Sequence, residues 1–405
     1  MNRSSIFKLN IDFIKSHGTY LYDKNHQKEF LDFMSMYATL PLGYNHPIFS
    51  SDAFKSEIER VSSVKITNCE MSSDEAIEFN DLFIEFAGQG IFSHAHYCCT
   101  GALAIESAIK TAFFYKKPDA PSLLSFKGSF HGINGYGGLI TDRFEPVSKR
   151  LEGFPGNLWP KLNNPVVQYK NNNPIDNSTD VNDVLEQTER KIQSDPNISC
   201  VLIEPIQCTF GDMYFTQNFF IGLRRICDKY DIPLIFDEIQ VGFGTTGKLW
   251  YFQHLGMEPD ILVFGKKTQL SGILVKNRFS RIFDFPGRLE VTWDADLIDM
   301  IRCKYIIAAY KENHILQNVN SMSDLLFSGL RKMNNIMNIR KCGLVFAFDF
   351  ISKENRDKFM SFLIEHGFIC NPTRDITIRL RPNLNVNEDE ISHAINILND
   401  ADNIL

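Results

Sequence analysis

Two runs decide the fold: Pro233-Leu-Ile-Phe-Asp237-Glu238-Ile-Gln240, and Pro259-Asp-Ile-Leu-Val-Phe-Gly265-Lys266-Lys267-Thr268-Gln269. Each is a short apolar block that follows a proline and ends in charged residues. A block of this kind reads as a strand buried on both faces of a parallel sheet. In open α/β sheets, ligands sit outside the carboxyl ends of the strands. A lysine there can form a Schiff base, and an acid there can partner a pyridinium nitrogen. The pair fits pyridoxal 5′-phosphate (PLP) chemistry, with Lys266 as carrier and Asp237 as ring partner. Gly265 lets the backbone turn sharply and approach a ligand. Lys267 competes for the carrier role.

Outward from these runs, strand-like and helix-like stretches alternate. His94 to Cys98, Ser122 to Phe126 and Cys200 to Ile203 read as strands. Ala102 to Tyr115 and Phe219 to Tyr230 read as helices. Such alternation predicts an α/β domain with a largely parallel sheet. After about residue 293 the pattern changes. One long helix is expected from Asp296 to about Met333, then a strand from Gly343 and a helix near Lys353 to Gly367. The expected organisation is an N-terminal segment, 1–47, packing with a small domain; a large domain, 48–293; and a smaller α+β C-terminal domain, 294–405.

Bulk properties narrow the function classes. The chain has 405 residues, 44% hydrophobic and 22% charged, which is ordinary for a globular protein. A net charge of -7 gives no reason to expect nucleic acid or anionic membrane as a partner. No apolar run approaches a membrane span, and Met1-Asn-Arg-Ser-Ser-Ile-Phe-Lys lacks the apolar core of a signal peptide. Nine scattered cysteines without a C-x-x-C pair predict reduced thiols and a cytoplasmic setting.

Several motifs have competing readings. Gly242-Phe-Gly244-Thr-Thr-Gly247 matches G-x-G-x-x-G, but it neither leaves a strand directly nor opens a helix, so it reads as a flexible turn. His94, His96 and Cys98 share one strand face and read as packing rather than a metal site. Asp237 and Glu238 could hold a metal, yet no histidine lies near, so no metal is expected. Thr100-Gly101-Ala102 opens a helix with exposed N–H groups, a place for a phosphate. Phe130, past the strand Ser122 to Phe126, could stack on a pyridine ring or simply fill the core.

Together the motifs resemble class III aminotransferases, which are fold-type I PLP enzymes, and within them the L-lysine 6-aminotransferase branch. The matching runs are Leu42-Gly-Tyr-Asn-His-Pro47, Gly101-Ala-Leu-Ala-Ile-Glu106, Phe130-His-Gly132, Ile203-Glu-Pro-Ile-Gln207, Phe236-Asp-Glu-Ile-Gln240, Phe264-Gly-Lys-Lys-Thr-Gln269, Thr292-Trp293 and Ile378-Arg-Leu-Arg-Pro382. They follow the family's order and span nearly the whole chain. The resemblance implies that Lys266 holds PLP and moves a proton, and that Asp237 pairs with the ring nitrogen. It implies that Gln240 meets the ring hydroxyl and Phe130 stacks on the ring, with His131 and Glu204 beside it. It places the phosphate on Gly101 and Ala102, with Thr292 reaching across a homodimer. Arg379 would bind a substrate carboxylate, and Met36 and Tyr37 would line the pocket. The implied partners are a small amino donor and a keto-acid acceptor.

Three departures from the family pattern bear on the substrate. Phe130-His-Gly132 is followed by Ile133, where the family has an arginine that clamps a carboxylate. Thr209 stands where the family has an acid that switches Arg379 on and off. The phosphate loop reads Thr292-Trp-Asp-Ala-Asp296 instead of Thr-Trp-Gly-Gly-Asn. The expectation is a transaminase with one strong carboxylate site, at Arg379, rather than two. A non-transaminating PLP enzyme, such as a decarboxylase or an aminomutase, and a silent relative are the alternatives.

Overall fold

The computed structural model describes residues 7–67, 71–143, 151–153, 159–170 and 172–405. The chain forms two compact units. The larger takes Ile58–Phe243 and Lys248–Lys304; the smaller takes the stretch up to Glu57, Gly244–Gly247 and Tyr305–Leu405.

The larger unit is built on a seven-stranded sheet. Its order is His94–Cys98, Ser271–Val275, Ile261–Phe264, Leu234–Asp237, Ile198–Ile203, Ser122–Phe126 and Lys161–Leu162. Ser271–Val275 runs antiparallel to both its neighbours, and every other pairing is parallel. The two strands that carry the opening runs are buried along their whole length. They are therefore apolar throughout instead of alternating. Helix Gly101–Lys116 lays Ala104, Ile105, Ala108, Ile109 and Ala112 into the same core as Ile235, Ile261 and Val263. That spacing is the apolar stripe of a helix. Each buried isoleucine contributes about 1.5–3 kcal/mol.

The glycine run after Gln240 is not a flexible surface turn. Val241 to Thr246 are buried, and a Cβ on Gly242 would fall 2.6 Å from the Trp250 ring. Glu238 explains the compaction, because its carboxylate accepts the N–H groups of Tyr251 (2.6 Å) and Phe252 (2.9 Å).

The smaller unit carries a four-stranded antiparallel sheet in the order Met337–Cys342, Val345–Asp349, Thr377–Leu380, Asn371–Thr373. A second, three-stranded sheet joins Tyr20–Asp23 and Lys28–Asp32 to Phe368–Ile369. The expected single long helix is two, Leu297–Glu312 and Ile315–Leu330. His314 adopts φ +49 at the break, and Asn313 Nδ2 lies 3.2 Å from His46 Nε2. Asn and His tolerate or flank left-handed backbone without a glycine or proline to announce it.

Candidate active site

Asp237 and the strand before Lys266 are neighbours in the sheet. Asp237 pairs with Val263, and the Glu238 N–H donates to the Val263 carbonyl at 2.9 Å. The chain then passes Phe264 and Gly265 and turns at Lys266. A Cβ on Gly265 would meet Ser271 Oγ at 2.8 Å, so no side chain fits there without displacement. Lys266 itself has φ +55, a left-handed conformation that costs a non-glycine residue on the order of 1–2 kcal/mol. Strain of this kind gathers at functional sites. Lys266 is half-buried, whereas the neighbouring Lys267 is 1% exposed.

Asp237 is fixed from two directions. Its Oδ2 lies 2.9 Å from His131 Nδ1, and its Oδ1 accepts the Ile239 N–H. The His131 N–H donates to Thr141 Oγ1, which lies 2.7 Å from the Gly132 carbonyl. The other ring nitrogen, His131 Nε2, is buried and meets no protein partner. Glu204 accepts the Phe130 N–H at 2.6 Å. Burial, and then the charge of Asp237, push the Glu204 carboxyl well above the usual range; the Phe130 N–H and the Lys266 charge oppose this. Lys266, Asp237 and Glu204 thus share one electrostatic environment, and Phe130 is tied to it through its backbone.

Helix Gly101–Lys116 points its first turn at the same place. A Cβ on Gly101 would fall 2.8 Å from Ile239 Cδ1, two residues past Asp237. The first N–H groups of a helix have no intrahelical acceptor, and there is no acidic residue in this first turn. An anion is favoured there. Gln240 follows Ile239 in the same turn. A buried acid, a strained lysine, an anion cup and an unpartnered buried ring nitrogen fit a phosphorylated, nitrogen-containing ring. These residues therefore fit PLP.

The segment expected to serve as a phosphate loop, 292–296, is arranged in its own way. Thr292 is exposed, as is Trp293, over whose ring Lys65 Nζ sits at 5.3 Å. Asp294 turns inward to accept the Val291 N–H at 3.1 Å, and burial pushes its carboxyl up to about 6. Asp294 therefore closes its own loop and does not project beside Thr292. Of the remaining histidines, His94 stacks on Phe283 at 5.5 Å, and burial pushes His96 down to about 4. Among the described residues no three His, Cys, Asp or Glu side chains form a metal-binding group.

The residues expected to meet substrate are described unit by unit. In the larger, Ile133 is 55% exposed and Thr209 is buried. The Thr209 carbonyl accepts Arg143 Nε at 2.6 Å. Arg143 carries no motif around it, and the sequence reading missed it. In the smaller, Arg379 is buried on Thr377–Leu380, paired with Ala347 and Asn371. Two residues on, the Arg381 N–H donates to the Phe33 carbonyl at 2.6 Å. Ser35, Met36, Tyr37 and Ala38 follow, and all four have positive φ, from +47 to +67. A left-handed turn of four non-glycine residues costs about 1–2 kcal/mol at each.

Comparison with known proteins supplies the family context. The aminotransferase class-III family matches residues 2–401. An L-lysine-epsilon aminotransferase of Mycobacterium tuberculosis is 30% identical over 406 residues, covering 95% of this chain and 90% of the relative. A 4-aminobutyrate aminotransferase of Schizosaccharomyces pombe is 29% identical over 420 residues, covering 94% and 86%. Among solved structures, lysine aminotransferase from M. tuberculosis in its internal aldimine form superposes with a TM-score of 0.93 at 29% identity, covering 99% of this chain and 96% of that one.

Proposed function

The chain belongs to the aminotransferase class-III family, and we propose that it moves a terminal amino group, such as the ε-amino group of L-lysine, to a 2-keto acid. The transfer runs as two half-reactions in turn. The observation that carries this reading is the placement of Lys266 beside Asp237, with Asp237 held by His131. PLP, when bound, supplies an electron sink for charge developing on the substrate carbon. Asp237 would pair with the ring nitrogen, and His131 keeps its carboxylate oriented. Phe130 would cover the ring, Gln240 would meet its hydroxyl, and Gly101 and Ala102 would hold the phosphate. Lys266 would hold the cofactor, and its Nζ would move the proton as general base and acid.

Arg379 binds the donor carboxylate, and Met36 and Tyr37 line the pocket. Ile133 and Thr209 supply neither a second cation nor an acid. The working unit is a homodimer, in which Thr292 of each chain serves the phosphate of the other. The exposure of Thr292 and Trp293 supports that reading. The cytoplasm is the proposed setting. Among the described residues no helix is long and apolar enough to cross a membrane.

The test is a donor screen by half-reaction spectroscopy, with product masses measured. L-Lysine and related ω-amines should bleach the visible absorbance of the lysine-bound cofactor and yield the deaminated product. Release of carbon dioxide without consumption of a keto acid, or no bleaching by any amine, would overturn the reading. Sedimentation tests the dimer, which an active PLP-loaded monomer would refute.

A further inference from the structure

We infer that Glu106 is a positioning residue: its carboxylate ties the helix that opens at Gly101 to the segment carrying His131, and so sets His131 against Asp237. This rests on the reading above that Gly101 and Ala102 hold the cofactor phosphate and that Asp237 pairs with the ring nitrogen.

The sequence disfavours the helix Gly135–Ile140. It has six residues, and Gly135, Gly137 and Gly138 are among them. Glycine is the poorest helix former after proline, and so short a helix does not stand alone in water. The glycines are there for close approach. A Cβ on Gly137 would fall 2.4 Å from the His131 carbonyl oxygen, and one on Gly138 would fall 2.7 Å from the Ile133 carbonyl. The short helix is thus a shim pressed against the backbone of His131 to Ile133, and a contact outside it must hold it there.

Glu106 makes that contact. It lies half-buried on Gly101–Lys116, and its Oε1 accepts the Gly137 N–H at 2.9 Å, while the Tyr136 N–H donates to the same carboxylate. An acid at the start of a helix satisfies N–H groups that lack an intrahelical acceptor and meets the positive end of the dipole. A Cβ on Gly135 would fall 2.6 Å from Glu106 Oε1, so the backbone closes tightly on the acid. Burial pushes the Glu106 carboxyl up; the two N–H groups and the charge of the exposed Lys110 oppose the rise.

From the shim the bonds lead to the partner of the ring nitrogen. The Thr141 N–H donates to the Gly137 carbonyl at 3.0 Å, and the buried Thr141 Oγ1 accepts the His131 N–H at 2.8 Å. His131 Nδ1 then lies 2.9 Å from Asp237 Oδ2. At its other end the long helix opens against Ile239, whose N–H donates to Asp237 Oδ1. The contacts therefore form a circuit that starts and ends at Asp237. The anion cup and the buried acid are held at a fixed separation by that circuit, and Glu106 is its charged link.

The experiment measures binding of PLP to the apoenzyme, with phosphate-free pyridoxal as a second probe. Wild type should bind PLP the more tightly. Glu106→Ala should raise the Kd for PLP about tenfold, the scale of a lost helix cap. Glu106→Gln, whose amide oxygen still accepts, should recover most of that loss. In a His131→Ala background, Glu106→Ala should change the Kd by less than about twofold, because residues that act along one path are not additive. If Glu106→Ala lowers the melting temperature of the apoenzyme but leaves the Kd within about twofold, Glu106 only supports the fold and the inference falls. The same holds if its effect on the Kd is equal with and without the His131 side chain. Should Glu106→Ala fail to fold, Thr141→Val, which removes the hydroxyl that accepts the His131 N–H, is read by the same two criteria. If wild type binds pyridoxal as tightly as PLP, the reading of the Gly101 helix as the place of the phosphate fails first, and the inference falls with it.

Discussion

The cradle around Lys266 and the turn around Tyr37 are both strained, but in different ways. In the cradle Lys266 and Gln269 have positive φ at separate positions, in the connection between buried strands whose register fixes Asp237. In the turn, four residues in succession have positive φ, held from one side by Asp32. A parallel sheet fixes its strand ends through backbone bonds, whatever the side chains on its loops. The turn depends on a few side-chain bonds, so it can be remodelled without dismantling a sheet. On the proposed assignments, the residues that would handle the cofactor sit at the ends of buried strands, and those that would choose the substrate sit on loops and turns. Ile133 and Thr209 fit this division: both belong to loops, and both depart from the family.

The largest expected effect breaks the cradle. Lys266→Ala should reduce transamination roughly a thousandfold or more, because Lys266 is the proposed cofactor attachment and proton carrier. Lys267→Ala should keep the lysine-bound cofactor and lose stability, since Lys267 is buried. Borohydride reduction and peptide mapping check the assignment. A pyridoxyl adduct on Lys267 would reverse it and would move the catalytic strain away from the chemistry.

A second effect tests the substrate side. Arg379→Ala removes the proposed partner of the donor carboxylate, and losing one member of such a buried pair costs roughly 2–5 kcal/mol, or about 30- to several thousand-fold in affinity. KM for L-lysine should rise by that order, while carboxylate-free amines respond little. Ile133→Arg adds a second cation and should improve binding of a dicarboxylate acceptor. A strong preference for L-lysine that survives unchanged in Ile133→Arg, with Arg379→Ala silent, would show that the carboxylate is held elsewhere. Arg143, already on the Thr209 carbonyl, is the next residue to substitute.

The same division explains what was legible in the sequence. Asp237 and Lys266 were legible because a buried strand must be apolar, so a charge at its end stands out. Gly101 and Gly265 were legible because the backbone approaches Ile239 and Ser271 too closely for a Cβ. The left-handed turn was not, since Ser, Met, Tyr and Ala carry no signal for positive φ. Its cause, Asp32, is visible only once Tyr44 folds back onto it. The helix break at His314 was hidden for a similar reason. The burial of the glycine run depends on Glu238 reaching Tyr251 and Phe252, a contact that no local pattern encodes.

Glu238 gives the smallest expected effect, and it sharpens the comparison from the scaffold side. It follows Asp237 in the chain, yet its oxygens accept backbone N–H groups in the interior. Burial pushes its carboxyl up to about 8, against the pull of those two N–H groups, and the Asp237 charge adds to the rise. A folded pKa above the unfolded one means that the folded state binds more protons in the interval between them. The stabilisation is then fully present below the unfolded value of 4.5 and is lost as pH rises through about 8. Glu238→Gln abolishes the titration and turns an amide N–H toward one of the two donors. The variant should melt lower than wild type in mild acid, with the gap narrowing by a few degrees as the pH approaches about 8. Melting curves across that range, at constant ionic strength and with PLP saturating, provide the check. A gap that stays constant or widens would show that Glu238 is ionised throughout, and that the cradle's scaffold tolerates a buried charge beside Asp237.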